Sequence, residues 1–264
     1  MLEEVRTWLR SAIFNALFFS STALLTLVGA PLLPFLSAHA VRVYARMWMR
    51  LVHMLLRGIV GLEVEIRGAD RIPKGSVIFA SKHQSALDTL VFHLVRTDVV
   101  YGLKRELAYL PIFSWYLARA GNIFLDRGGA AKALKSLLRG AKEAVARGCS
   151  IVIFPEGTRT PPGAPPDYKA GVAALYAALG VPVVPVALDT GRFWPRRSFV
   201  KRPGRAVVEF LDPIAPGLPR ERFMAELERR IEERQRLLEA EALRGRSRDA
   251  AGRVIASVPG DEAR

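Results

Sequence analysis

SVIFASKHQSALD, residues 76–88, runs from an unbroken apolar stretch straight into a polar cluster. SVIFA comes after the turn-like RIPKG and is short and β-rich, so it reads as a buried strand. A histidine and an aspartate come within the next few residues, beside a lysine and a serine. In an α/β protein the carboxyl end of such a strand is the mouth of a ligand crevice. His83 and Asp88 stand five positions apart, about 140° around a helix, so they cannot share a helical face. The spacing fits if His83 lies on the loop and Asp88 in the first turn after it. Ser85 is then an N-cap and Asp88 the third helical residue, an S-x-x-D capping box. This local role is compatible with a chemical one, because a first-turn aspartate can also turn back and fix the tautomer of the histidine.

The same pattern recurs along the chain. GNIFLDR, 121–127, places Asp126 and Arg127 at a strand end; FPEGTRT, 154–160, places Glu156, Gly157, Thr158 and Arg159 after the buried run SIVIF; VPVVPVALDTG, 181–191, is a strand carrying prolines. One such strand end alone is usually a solvated loop. A strand with proline is usually an edge or irregular one. Between these strands, 85–95, 111–121, 128–148 and YKAGVAALYAALG read as helices, and 220–248 as a long, charged packing helix. LEVEIRG, from Leu62, alternates like an edge strand. The alternation predicts an α/β fold with a mostly parallel central sheet flanked by helices.

Composition bounds the partners. The 264 residues carry a formal charge of +14, which favours anionic partners such as nucleic acid, anionic lipid or phosphorylated substrates. The single cysteine, Cys149, can form no intrachain disulfide, and without a Cys/His cluster no metal site is expected. From Ser11 to Val41 there is no Asp, Glu, Lys or Arg, a run long enough for a hydrocarbon core, which needs ~20 apolar residues. A signal peptide fits less well: its apolar region is ~7–15 residues and its flank basic, whereas MLEEVRTWLR has no net charge. Pro31 and Pro34 break the helix. The next stretch, 41–62, intersperses Arg42, Arg46, Arg50 and Arg57 among Met, Leu, Val and Trp, a pattern suited to an interfacial helix with snorkelling arginines. Residues 1–62 therefore read as two membrane-associating helices, preferably a hairpin dipping into one leaflet, alternatively one span plus an interfacial helix. The arginines place the rest of the chain on the cytoplasmic face of the membrane. The α/β domain is expected over 63–246 and a flexible tail over 247–264. GRFWPRRSFVKRPGR, 191–205, has six basic residues, no acid and three aromatics, suited to an anionic bilayer or to single-stranded nucleic acid; the latter leaves the apolar N-terminus unexplained.

In order and spacing, His83-Gln-Ser-Ala-Leu-Asp88, GNIFLDR, FPEGTR and VPVVPV resemble the four motifs of the glycerolipid acyltransferases, most closely the bacterial 1-acylglycerol-3-phosphate acyltransferases. KRELAYLP and YKAGVAAL fit as well, so the resemblance covers about Leu62 to Ile214. Lys82 stands where many members have asparagine, and Ser114 where glycine is common. The resemblance implies transfer of a fatty acyl group from acyl-CoA or acyl-acyl carrier protein to the sn-2 hydroxyl of lysophosphatidic acid, giving phosphatidic acid for phospholipid biosynthesis. Another lysolipid, such as a lyso-ornithine lipid or a lysophospholipid, is the alternative acceptor. It further implies a general base, His83, oriented by Asp88, acceptor binding by Arg127 and Arg159 with Lys104, and Glu156 holding those arginines or the glycerol hydroxyls; Gly157 and Thr158 complete that motif. No cofactor or metal and no nucleic-acid partner is implied; the acyl donor is a co-substrate, with acyl carrier protein a candidate partner. A Ser-His-Asp lipid hydrolase would need a G-x-S-x-G elbow, which the sequence lacks. A non-enzymatic basic binder would show salt-sensitive nucleic-acid binding and no turnover.

Overall fold

A computed structural model describes residues 1–125 and 129–250. The chain opens with α1 (Leu2–Gly29), a 3₁₀ turn over Ala30–Phe35 containing Pro34, and α2 (Ala38–Leu55). Ser37 caps α2 by accepting the Ala40 N–H. Next come β1 (Leu62–Arg67), β2 (Ile78–Ser81), α3 (Phe92–Val95), β3 (Val99–Lys104), α4 (Phe113–Arg119), β4 (Ile123–Leu125) and α5 (Ala130–Ala146). The remainder is β5 (Ser150–Ile153), α6 (Gly171–Leu179), β6 (Val183–Leu188), β7 (Gly204–Phe210) and α7 (Arg220–Ala250). The helix α7 continues past residue 246, and 251–264, most of the expected tail, lie outside the described residues.

The seven strands form one sheet in the order β1-β7-β6-β2-β5-β3-β4. All neighbouring pairs are parallel except β6 with β7. Five strands therefore point one way, and β1 and β7 together point the other. β1 is an edge strand, as its alternation predicts. β6 is not: it lies between β7 and β2 and is buried throughout. Pro185 is tolerated there because it contributes a carbonyl to the Leu211 N–H (2.9 Å). It sits between the isolated Val183–Ile214 bridge and the Val186–Phe210 pair, where the ladder to β7 is interrupted, so its missing N–H costs no ladder bond.

Three layers result. α5, α6 and α7 cover one face of the sheet through Leu137, Leu175, Phe223, Leu227 and Ile231. The other face packs Phe79, Phe92 and Phe210 together, and beyond it lie α1 and α2, which bury Phe14, Met49 and Val52 against Leu87 and Leu90. The span Leu2–Phe35 is long and apolar enough to cross a membrane, with mean hydropathy 1.8 and only 11% of its most apolar window buried. Its covered face is the strip around Ser11, Phe14 and Asn15.

Two of the arginines expected at headgroups are not there. Arg42 is buried, paired with Asp98 at 2.9 Å and donating to the Ala120 carbonyl at 2.8 Å. Arg46 donates to Thr97 Oγ1 and the Leu94 carbonyl. They bind α2 to the sheet domain, because a face that repeats every turn meets protein as readily as lipid. Arg50 and Arg57 are exposed.

Candidate active site

Residues leaving β2, β5 and β6 meet at one edge, because these three adjacent strands run the same way. β2 ends at Ser81, and His83 lies on the loop before a 3₁₀ turn over Leu87–Leu90 that contains Asp88. His83 Nδ1 is 3.0 Å from Asp88 Oδ2. The same oxygen accepts the N–H groups of Gln84 (2.7 Å) and Ser85 (2.8 Å). Asp88 thus closes the turn as in a capping box and holds the histidine as well. The reciprocal bond differs from the expected one: Ser85 Oγ accepts from the Leu87 N–H at 3.1 Å. Asp88 Oδ1 accepts the hydroxyl of Thr190, which lies just past β6. A carboxylate only accepts, so Nδ1 carries the hydrogen and Nε2 keeps its lone pair. Asp88 is fully buried while the His83 side chain is 12% exposed, so the histidine is the accessible member of the pair.

That ring stacks on Phe154, with centroids 3.8 Å apart and planes at 17°. The loop after β5 is tied back to it: the Thr160 N–H donates to the His83 carbonyl at 2.8 Å. Gly191 is forced by close approach, since a Cβ there would lie 2.6 Å from Gln84 Cβ. Its N–H donates to Gln84 Oε1 at 3.2 Å. Phe154, Thr160, Thr190 and Gln84 are site residues that the sequence did not single out. Each lies within or beside one of the four motifs, but nothing in spacing says which neighbour turns inward.

The other expected residues divide. Arg159 is half-buried and lines an apolar cavity of about 380 Å³ together with Phe154. Burial holds its guanidinium below the usual pKa; the charge of Asp88 raises it again and that of Arg196 lowers it further. Gly157, with φ +66°, and Thr158 are exposed on the same loop. Glu156 is not placed to hold arginines or glycerol. It is buried against Lys82 (2.8 Å) and accepts the Thr160 hydroxyl (3.0 Å). Lys82 also pairs with Glu232 of α7 at 2.7 Å, and Tyr168 donates to that carboxylate at 2.9 Å. Burial alone would lower the Lys82 pKa, but Glu156 and Glu232 leave it raised. The departure from asparagine at this position is therefore one member of a buried ionic brace. Lys104 is exposed at the end of β3, and Arg127 lies outside the described residues.

The cavity runs between the sheet domain and the N-terminal helices. Trp48, Met49, Thr89 and Leu90 line it beside the His83–Asp88 turn, and Val41, Tyr44, Tyr116 and Ala120 line its other part. Along α2, Val41 to Met49 is about 12 Å. The distant end is plugged by the cluster of Leu33, Val41 and Ala120. Tyr44 and Tyr116 stack and donate to the Leu25 and Thr26 carbonyls of α1 (2.8 and 2.9 Å). A wider cleft of about 670 Å³ beside α7 is lined by Glu228, Glu232 and Glu239 alternating with Lys82, Arg229 and Arg236, and by no large apolar side chain, so it does not suit an acyl chain.

The family model described as Acyltransferase matches residues 63–189, from β1 to the end of β6. A 1-acyl-sn-glycerol-3-phosphate acyltransferase of Pseudomonas aeruginosa is 35% identical over 231 residues, 85% of this chain and 88% of that one. The chain belongs to the glycerolipid acyltransferase family. Among more distant acyltransferases, the 1-acyl-sn-glycerol-3-phosphate acyltransferase alpha of Mus musculus is 30% identical over 172 residues, 63% of this chain and 60% of its own. The crystal structure of the 1-acyl-sn-glycerophosphate acyltransferase PlsC from Thermotoga maritima shares the acyltransferase fold. It has a TM-score of 0.74 and 23% identity, covering 90% of this chain and 98% of that one.

Proposed function

We propose that this acyltransferase transfers a fatty acyl group from acyl-CoA or acyl-acyl carrier protein to the sn-2 hydroxyl of lysophosphatidic acid. The observation that carries the reading is the His83–Asp88 pair beside an apolar cavity walled by the N-terminal helices. An alcohol is a poor nucleophile at neutral pH, so a base must take its proton as it attacks. His83 Nε2 is that base. The hydroxyl oxygen bonds to the thioester carbonyl carbon, the carbon–sulfur bond breaks, and the proton held at Nε2 passes to the departing thiolate. Asp88 fixes the tautomer and supports the imidazolium while it lasts. Arg159, together with Arg127 and Lys104, binds the acceptor phosphate through charge-assisted hydrogen bonds. The apolar cavity takes the acyl chain, and the Tyr44 and Tyr116 hydroxyls, donating to α1 carbonyls, hold the wall in place. Neither metal nor further cofactor is needed, since the thioester supplies the activated acyl group.

α1 and α2 form a hairpin dipping into the cytoplasmic leaflet of the cell membrane, with Arg50 and Arg57 at headgroups. The α1 contacts to α2, α4 and the 191–205 loop support this over a helix standing clear of the domain.

The test is acyl transfer in detergent micelles from oleoyl-CoA or oleoyl-acyl carrier protein to lysophosphatidic acid, with wild type and His83→Ala. Phosphatidic acid is expected from the wild type, and a loss of ~10²–10⁴-fold in kcat from the variant. Equal turnover by a folded variant would remove His83 from the chemistry. Turnover by the wild type only with another lysolipid would replace the acceptor.

A further inference from the structure

The 191–205 loop carries more than surface charge. It begins at the catalytic turn, with Thr190 bonded to Asp88 and Gly191 to Gln84. Its far end is locked to α1: Lys201 is buried, its ammonium bonded to Asn15 and to the Phe199 carbonyl and 4.8 Å over the Trp194 ring. Trp194 itself meets Phe14 edge-on at 5.6 Å. Two arginines are engaged by the protein itself, Arg192 on the Glu239 carbonyl (3.2 Å) and Arg205 beside Glu65 (3.6 Å). The loop is thus braced at both ends, and a turn projects between them, closed by the Ser198 N–H on the Pro195 carbonyl at 3.1 Å. Arg197 in that turn has φ +59°, a left-handed backbone unusual for a non-glycine residue.

Arg196 stands on this turn and donates from its guanidinium to the Arg159 carbonyl at 3.2 Å. Two guanidinium-bearing residues are therefore held side by side at the mouth of the site. The charge of Arg196 bears on Arg159, and the opposing carboxylate, Asp88, already accepts from Thr190, His83 and two backbone N–H groups. Like charges placed together, one of them half-buried, are relieved by a dianion between them, and guanidinium forks match phosphate oxygens.

We infer that Arg196 is a further phosphate-binding residue for the acceptor, working with Arg159 to select a phosphomonoester headgroup. This rests on the lysophosphatidic acid reading above. It extends the acceptor site to a residue outside the four sequence motifs and makes the basic loop part of substrate selection.

The experiment compares wild type, Arg196→Ala, Arg196→Lys and Arg202→Ala, the last an exposed arginine of the same loop. Each is assayed in detergent micelles with lysophosphatidic acid and with lysophosphatidylglycerol, a phosphodiester of lower charge. Arg196→Ala is expected to raise KM for lysophosphatidic acid roughly 10–100-fold, the size of one charge-assisted hydrogen bond, with kcat within a few-fold. It should also narrow the preference over lysophosphatidylglycerol. Arg196→Lys should restore part of the loss, and Arg202→Ala should match wild type. An unchanged KM in Arg196→Ala, or an equal fall in kcat with both acceptors, would overturn the assignment while leaving the activity standing. A wild type that acylates lysophosphatidylglycerol but not lysophosphatidic acid would overturn the acceptor and this role together.

Discussion

Asp88 Oδ2 serves a turn and a histidine at once, and a single mutation touches both duties. Asp88→Asn keeps one acceptor oxygen and turns the other into a donor. Either the Gln84 and Ser85 N–H groups or the Thr190 hydroxyl then faces an amide hydrogen. We expect a loss of roughly 1–3 kcal/mol in unfolding free energy, seen by denaturant titration in detergent, together with a loss of activity. A variant equally active per folded molecule would show that His83 does not depend on this partner. Asp189, next to Thr190, makes a second prediction. It is buried and its Oδ1 accepts the Val207 N–H at 2.7 Å. Burial pushes its pKa up to about 6, against the opposing effects of that bond and of Arg192. The native state then holds the proton more tightly than the unfolded chain, whose pKa is ~3.9. The contribution to stability is full below pH ~4 and is lost as pH rises to about 6. Asp189→Asn should therefore stabilise the protein by about 1–3 kcal/mol at pH 8, with no gain at pH 4; an equal effect at both would point to packing. At this scale the sequence singled out the histidine and aspartate because they open an ordered set of four motifs; their spacing alone would equally suit a capping box. It did not name Thr190 or Phe154, whose types suit any core or loop.

Strand ends are where elements and chemistry meet. The sequence located those of β2, β5 and β6, since a β-rich apolar run that stops at polar residues marks both the strand and its exit. It did not show that β1 and β7 run against the rest, because alternation has no direction. It misplaced β6 because Pro185 is an edge signal unless the ladder is interrupted beside it. The Lys82–Glu156–Glu232 brace joins the exits of β2 and β5 to α7, and Glu156 was misread because a glutamate in FPEGTR looks like a ligand group until its burial is known. Removing the lysine leaves Glu156 buried without its counter-charge. Lys82→Met should cost roughly 3–5 kcal/mol in a denaturant titration, without changing the ranking of acceptors. A stable variant with altered acceptor preference would place Lys82 at the substrate site.

Across the whole molecule, the apolar N-terminus and the α/β domain share one interface, and the cavity lies in it. The sequence showed two parts with different textures but not their contact: the arginines that dock α2, and Trp194 and Lys201 that clamp α1, have the composition of lipid-facing residues. At the plugged end of the cavity, Ala120 is buried beside Leu33 and Val41. Ala120→Leu should shorten the space available and move the best donor to a shorter chain, read as kcat/KM across decanoyl- to oleoyl-CoA. An unchanged profile would place the acyl chain elsewhere. Because α1 and α2 supply one side of that cavity, the anchor is also a part of the specificity determinant if the cavity holds the acyl chain as proposed. Attachment and selectivity are then one heritable trait: a chimera carrying another protein's hairpin would take on a new chain-length profile along with its new mooring, and a soluble catalytic fragment would be an enzyme with its measuring surface cut away.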